Sequence, residues 1–247
     1  MNIVRFGDFI KEDIHVQDGE LVFDYRKSGE GIGTKFGKDK NFAPYTKTIP
    51  GTDMKCYSLY VSNKAKSSEV LKAMKNVDYS NSDVSQFLNR SAVYATRVLR
   101  GTPIDIIVTP KSSSNLTKEF VKDLAARNNV SVMVDSFVKQ PDISKIEIDR
   151  ESPKISENII KKLETILRKA KENNQFKLSK ILPQHRKFIK NIFVVADESI
   201  IKKINDKNVL IVDDIITEGT TSESIYNILV ANGAKFVTTL TVFKSDK

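Results

Sequence analysis

The chain has 247 residues, of which 40% are hydrophobic and 29% charged, and its formal net charge at neutral pH is +9. Such a composition is ordinary for a globular protein, and the length suits one large domain or one domain with a small appendage. No apolar run approaches the roughly 18 residues needed to cross a bilayer, and Arg5 and Asp8 stand where an export signal would be greasy. The expectation is a cytoplasmic protein without a membrane anchor. Cys56 is the only cysteine, and His15 and His185 are the only histidines, so an intrachain disulfide is excluded and thiolate or histidine metal sites are disfavoured.

The basic excess is concentrated. Residues 154 to 190 carry 11 basic and 3 acidic side chains. This segment could face nucleic acid or a phosphorylated ligand, or it could be the solvated face of a lysine-rich helix.

In chain order, residues 1 to 50 read as a β-rich extension. The weak alternation of IHVQDGELVFDY, broken at Asp18-Gly19, predicts a hairpin. The glycine-rich run SGEGIGTKFGKDKN is not a phosphate loop of the Walker type, because Ile32 and Asp39 occupy the places of its first glycine and its Ser or Thr. It reads as a surface loop. CYSLYV at 56 to 61 is a predicted strand, and Val70, Leu71 and Met74 share one face of a predicted helix.

A longer helix is expected over 83 to 99, with Val84, Phe87, Leu88, Ala95 and Leu99 on its apolar stripe and Gly101 beyond its end. IDIIVT at 104 to 109 has the continuous apolar, β-branched character of a strand buried on both faces. A helix through Asn128 aligns Leu116, Phe120 and Leu124, and a strand follows at 130 to 134. Strand, helix, strand implies parallel neighbours. Residues 136 to 153 read as loop, 157 to 172 as a basic amphipathic helix, and 173 to 190 as an exposed basic connection. NIFVVA at 191 to 196 and VLIVDD at 209 to 214 are predicted strands. A helix from Thr221 to about Ala231 follows, with a capping box of Thr220 and Glu223 and a C-terminal Gly233. FVTTLTVF at 236 to 243 is the last strand. The fold class expected is α/β, a doubly wound and mostly parallel sheet over 51 to 247, with a helical and loop excursion at 136 to 190.

VLIVDDIITEGTT, residues 209 to 221, is the stretch richest in chemistry. Asp213 and Asp214 end an apolar strand, and in an open α/β sheet ligands bind at that end. Adjacent carboxylates repel and need compensation from hydroxyl donors or a hydrated divalent cation. Thr217, Glu218, Gly219, Thr220 and Thr221 then form a short loop into a helix N-terminus, whose free amides and hydroxyls suit a phosphate monoester. An ordinary strand, acidic turn and capped helix would carry the same residues.

This stretch resembles the phosphoribosyl diphosphate (PRPP) motif of type I phosphoribosyltransferases. The resemblance implies that Asp213 and Asp214 serve the ribose hydroxyls, directly or through magnesium-bound water, and that Thr217 to Thr221 cradle the 5′-phosphate. It also implies a diphosphate loop after the first core strand, a place occupied by Thr109, Pro110, Lys111, Ser112 and Ser113. KLSKILPQHRKFIKNIFVV, from Lys177 to Val195, is similar to the segment that precedes the motif in the competence-protein ComF-like branch. That likeness makes Arg186, with Lys190 next, a candidate diphosphate contact, although the zinc module frequent in the branch has no counterpart here.

The activity so implied is transfer of ribose 5-phosphate from PRPP to a nitrogenous acceptor, with Mg2+ as cofactor, diphosphate as leaving group and a homodimer as a family expectation. Catalytic roles fall to Asp213, Asp214, Lys111 and Arg186. Substrate-binding roles fall to Thr217, Glu218, Gly219, Thr220, Thr221, Pro110, Ser112 and Ser113. Glu218 is expected to point outward, since a carboxylate beside phosphate would weaken binding. Two other classes fit the residues: a non-catalytic module that binds PRPP or a nucleotide, and a nucleic-acid-associated protein using 154 to 190.

Overall fold

The structure, a computed structural model, describes residues 13–17, 20–24, 32–33, 45–49, 52–62, 73, 82–112 and 115–245. Strands β1 (Asp13–Gln17) and β2 (Glu20–Asp24) pair antiparallel, as the hairpin reading requires. Next come β3 (Ile32–Gly33), β4 (Tyr45–Thr48) and β5 (Lys55–Ser62), then α1 (Ser82–Val98), β6 (Ile106–Pro110), α2 (Leu116–Asn128) and β7 (Ser131–Lys139). The remaining elements are β8 (Glu147–Ile148), α3 (Glu157–Glu172), β9 (Ile189–Lys190), β10 (Phe193–Val195), α4 (Ser199–Ile204), β11 (Asn208–Ile216), α5 (Thr220–Ala231) and β12 (Phe236–Ser245). The Asp18-Gly19 turn, most of the glycine-rich run and the helix face of Val70, Leu71 and Met74 lie outside the described residues.

The main sheet has eight strands. Its centre is β7-β6-β11-β12-β5, all parallel. One edge is closed by β10, antiparallel to β7, and the other by β3 and β4, both antiparallel to β5. The order reverses between β6 and β11. From β6 the chain passes through α2 to β7 on one side, and from β11 through α5 to β12 on the other. Neighbouring strands whose crossovers leave in opposite directions open a crevice at their carboxyl ends. The expected mostly parallel α/β fold is the one observed.

Both sheet faces are covered, which is why Ile106 to Val108 of β6 and Val209 to Val212 of β11 are apolar on both sides. Ile107, Leu210, Val212 and Leu240 pack under α1 and α2, against Phe87, Leu116, Phe120 and Leu124. Ile106, Val108, Val209 and Ile211 face α3, α4 and α5, against Leu163, Ile204, Ile225 and Leu229. The predicted stripe of α1 is the buried one: Val84, Phe87, Leu88, Ala95 and Leu99 are all in the core. Gly101, at φ +82°, lets the chain leave that helix.

Two expectations are corrected in the excursion. The segment 136 to 153 is not simply loop: β7 runs to Lys139, a 3-10 turn spans Ile143–Lys145, and β8 pairs with β9. The segment 173 to 190 is not simply an exposed connection. Phe176, Ile181, Phe188 and Ile189 enter the core, while Lys177, Lys180 and Lys187 stay outside. Its apolar residues follow neither a helical nor a strand period, because they sit on and between short 3-10 turns at Leu178–Lys180 and Pro183–Phe188 and the two-residue β9.

Phe87 joins α1 to two strands, with its ring 5.2 Å from Tyr60 and 6.3 Å from Phe243 between centroids. Its truncation leaves a large cavity, so Phe87→Ala is expected to cost about 3–5 kcal/mol in urea denaturation. Arg168→Ala, at an exposed pair with Glu172 (3.8 Å), should stay within about 0.5 kcal/mol of the parent.

Candidate functional site

Strand β11 carries the acids to the crevice. Alternation along the strand puts Asp213 on the face of Val209 and Ile211, and Asp214 on the face of Leu210 and Val212. Both are buried, at 9% and 6% exposure. The Asp214 amide donates to Asp213 Oδ1 at 2.9 Å, which holds one carboxylate back toward the strand end. Asp213 pairs in register with Thr241 of β12, and Thr241 with Ser58 of β5. The hydroxyls of Thr241 and Ser58 are 2.7 Å apart. A row of polar residues, Asp213, Thr241 and Ser58, therefore crosses three adjacent strands.

Cys56, one pleat below Ser58, is fully buried, and burial pushes its thiol up to about 12. At that value the thiolate is absent at neutral pH, so Cys56 acts as a packing residue.

Residues 217 to 221 follow directly. Gly219 has φ +92°, and its O accepts from the Glu223 amide at 2.8 Å. Gly219 is thus the N-cap of α5, and no side chain caps the helix. The expected capping box of Thr220 and Glu223 is corrected: the left-handed glycine starts the helix one residue early and places Thr220 inside its first turn. Thr220 is 6% exposed, and its Oγ1 has no hydrogen-bond partner among the described residues. First-turn amides have no intrahelical acceptor, so a buried hydroxyl and free amides share one helix end. Thr217 and Thr221 are half-buried. Glu218 is half-buried too, with Oε1 shielded from solvent, in place of the outward orientation expected.

The neighbouring loop leaves β6. Thr109 and Pro110 are buried, Lys111 is exposed and Ser112 half-buried, while Ser113 lies outside the described residues. The Lys111 amide donates to Phe137 O of β7 at 2.7 Å. Pairing of β6 with β11 stops at Val108–Ile211, so the two strands separate just where Thr109 to Lys111 face Val212 to Asp214.

Arg186 is not brought into this group by any described contact. Its Nε donates to Ile181 O at 2.9 Å within its own segment, and partial burial lowers its pKa. Its neighbours Lys187, Lys190 and Asn191 instead line a cleft of about 410 Å³ together with Thr220 and Glu223. Lys190 is 2.9 Å from Asp149. Burial, and then Asp149, raise the Glu223 carboxyl above its ordinary value.

Two contributions have no sequence signal. A Cβ added at Gly219 would lie 2.7 Å from Ile49 Cδ1, so the turn after β4 backs the phosphate-type loop. Tyr226 of α5 donates to Asp53 Oδ1 at 2.5 Å, tying the same turn to the helix. Ile49 and Asp53 belong to an undistinguished loop sequence, and only the pairing of β4 with β5 sets them beside α5.

No family model matches the sequence, and no curated protein matches it. Solved structures that it resembles are phosphoribosyltransferases in the main. An adenine phosphoribosyltransferase is 17% identical, with 67% of this chain and 72% of that chain covered and a TM-score of 0.37. A hypoxanthine-guanine phosphoribosyltransferase from Bacillus anthracis is 14% identical, with 64% of this chain and 65% of that chain covered and a TM-score of 0.33. The chain thus spans just under two thirds of the bacillary enzyme. A hypothetical protein from Neisseria gonorrhoeae with bound ppGpp is 10% identical, with 68% and 70% covered and a TM-score of 0.38. The functional reading rests on the strand order and on the site's own chemistry.

Gly219→Ala is expected to lose about 1–2 kcal/mol, from the left-handed backbone and the overlap with Ile49. In urea melts, Gly219→Ala with Ile49→Val should be more stable than the sum of the two single losses, since the second change relieves the overlap. For Glu223, the raised pKa means that the folded state disfavours its ionised form. Stability is then greatest below the ordinary value of 4.5 and falls as pH rises through the folded value. Glu223→Gln should remove that fall, which is read by denaturation from about pH 4 to about pH 8.

Proposed function

We propose that the chain is a phosphoribosyltransferase that transfers ribose 5-phosphate from PRPP to a nitrogenous acceptor and releases diphosphate. The observation that supports this most is the buried pair Asp213 and Asp214 at the switch point, followed within six residues by the Gly219 turn into α5. Ribose hydroxyls donate to the carboxylates, and the 5′-phosphate accepts from the first-turn amides of α5 and from Thr217, Thr220 and Thr221. A monoester dianion at that end gains from the helix dipole and from the unpartnered Thr220 hydroxyl.

Among the described residues no three His, Cys, Asp or Glu side chains group to enclose a metal. Two carboxylates beside a substrate diphosphate nevertheless suit magnesium, which keeps several waters and takes only one or two protein carboxylates. Asp213 and Asp214 would hold it through oxygen or water, and it would neutralise charge on the diphosphate. Lys111, exposed at the β6 loop, supplies a mobile cation there, with the hydroxyls of Ser112 and Ser113 as donors. Arg186 would have to release Ile181 O to reach the same group; Lys187 and Lys190 already line the cleft that includes Thr220.

In the transfer, the C1–O bond to diphosphate breaks with its electron pair on the leaving oxygen. The acceptor nitrogen gives its lone pair to C1 and its proton passes to solvent or product. Residues 140 to 192 cover the sheet face that carries α5 and reach the cleft that includes Thr220, where they can exclude competing water and shape the acceptor site.

Purified protein with PRPP, Mg2+ and a panel of nitrogenous bases should release diphosphate. Asp214→Asn should lower the rate about 100-fold or more without changing the melting temperature, and chelation of the metal should abolish release. PRPP binding without diphosphate release from any base would identify a binding module in place of an enzyme. Absence of PRPP binding would refute the reading.

A second reading is favoured by one surface. Two pockets of about 360 and 550 Å³ share Ile166 and Lys180 and form a continuous groove along α3. Lys161, Lys162, Lys169, Lys177 and Lys180 line it, and none makes an ion pair among the described residues. Two acids of α3 are neutralised by arginines, Glu164 by Arg150 and Glu172 by Arg168. A nucleic-acid backbone fits such a groove. Single-stranded oligonucleotide binding should then weaken with salt, and Lys161→Glu with Lys169→Glu should reduce both affinity and salt slope while PRPP binding persists.

A further inference from the structure

The diphosphate-type loop is anchored at both ends by one residue of the neighbouring strand. Between Val108 and Pro110, β6 advances two residues, while β7 advances four, from Met133 to Phe137. The bulge centres on Asp135, which has φ +53°. A left-handed residue other than glycine is uncommon, and Asp and Asn tolerate it best. The bulge itself is secured on both sides. Ser136 Oγ donates to Met133 O at 2.6 Å, and the Ala196 amide donates to Ser136 O at 2.8 Å.

This conformation turns Asp135 toward β6 with two distinct grips. Its backbone N–H donates to Thr109 Oγ1 at 2.9 Å. Its Oδ2 is 2.7 Å from Lys118 Nζ. Thr109 is the next-to-last residue of β6, and Lys118 is in the first turn of α2, the next element along the chain. Thr109 is 1% exposed, so its hydroxyl cannot exchange this bond for water. The second carboxylate oxygen, Oδ1, is shielded from solvent and has no hydrogen-bond partner among the described residues. A carboxylate with one buried, unbonded oxygen depends on its single cationic partner for compensation. Lys118 is therefore not an ornamental surface lysine, although it is a third exposed.

We infer that Asp135 is a positioning residue which, through Thr109 and Lys118, fixes the end of β6 against the start of α2 and so sets the direction in which Lys111 is presented to a diphosphate. The role deepens the phosphoribosyl reading and rests on it. Neither Asp135 nor Lys118 touches the sugar or its 5′-phosphate, which belong to β11 and α5. The clamp acts on one end of the ligand only, and this distinguishes it from a general stabilising contact.

The test uses the full chain and two ligands, PRPP with Mg2+ and ribose 5-phosphate, which lacks the diphosphate. Asp135→Asn keeps the left-handed backbone and the N–H to Thr109 but removes the charge pair. Lys118→Met removes the other partner, and Thr109→Val removes the hydroxyl acceptor. In calorimetric titration each variant should weaken PRPP about fivefold, the size of a partly exposed ion pair or a single hydrogen bond, and leave ribose 5-phosphate within about twofold of the parent. Asp135→Asn with Lys118→Met should weaken PRPP no more than either change alone. In hydrogen exchange without ligand, the amides of Lys111, Ser112 and Asn115 should exchange faster in Asp135→Asn, while those of 217 to 221 keep the parental rate. Equal loss of both ligands, or PRPP binding and loop exchange both at parental values, would overturn the clamp. If the parent protein itself fails to bind PRPP, the phosphoribosyl reading falls, and the exchange of Lys111, Ser112 and Asn115 then decides the clamp by itself.

Discussion

Two adjacent carboxylates buried at the end of a core strand repel each other and lose hydration, and everything around them has to offset that cost. In this protein the offset begins locally, with the Asp214 amide on Asp213 Oδ1. The same level of the two neighbouring strands is polar too, with Thr241 and Ser58 hydrogen-bonded to each other. What such a row can accept is narrow: hydroxyl donors and hard, hydrated cations. Apolar or anionic groups are unfavourable beside Asp213 and Asp214, whereas an anion a few residues further on meets a helix N-terminus. The juxtaposition of the two environments is what the proposed phosphoribosyl reading rests on.

The sheet order makes this chemistry accessible. Were β6 and β11 linked by crossovers leaving in the same direction, a helix would cover their carboxyl ends. Because α2 and α5 leave in opposite directions, the loops after both strands border one crevice, and pairing of β6 with β11 ends at Val108–Ile211 to let them part. The loops themselves are held from outside the two strands. Ile49 and Asp53 back the Gly219 loop and α5, and the bulge of β7 grips the loop after β6. Rigid placement by neighbours, not by the loops' own hydrogen bonds, keeps both sides of the crevice in register.

The excursion between β7 and β11 follows a different logic. Its apolar residues Phe176, Ile181, Phe188 and Ile189 close the face of the sheet opposite α1 and α2, and its lysines are left outside. Long lysine stems allow this division at little cost, since the charged end remains hydrated while the chain near the backbone packs. The result is a hydrophobic cover with a cationic outer surface, next to a crevice suited to phosphates. Among the described residues no helix is long and apolar enough to cross a membrane.

Periodic and continuous patterns were legible without coordinates. The stripe Val84, Phe87, Leu88, Ala95 and Leu99 predicts a buried helix face, and the unbroken apolar runs of β6 and β11 predict strands covered on both sides, because burial is the main force acting on those residues. The acidic end of β11 and the Gly219 loop were equally visible, since they are contiguous in the chain and depend on local backbone geometry. The capping box failed for a local reason: the left-handed Gly219 takes the cap position and moves Thr220 into the helix. The 173 to 190 segment escaped because irregular 3-10 turns have no period that reports burial. Asp135, Lys118, Ile49 and Asp53 escaped because nothing near them in sequence marks their partners. The sequence alone thus determined the class of sheet and the chemistry at its acidic end, where the relevant residues are neighbours along the chain. Tertiary structure alone decided what supports that chemistry, because strand order and a bulge bring together residues separated by up to 183 positions, and side-chain contacts at that range leave no local signature.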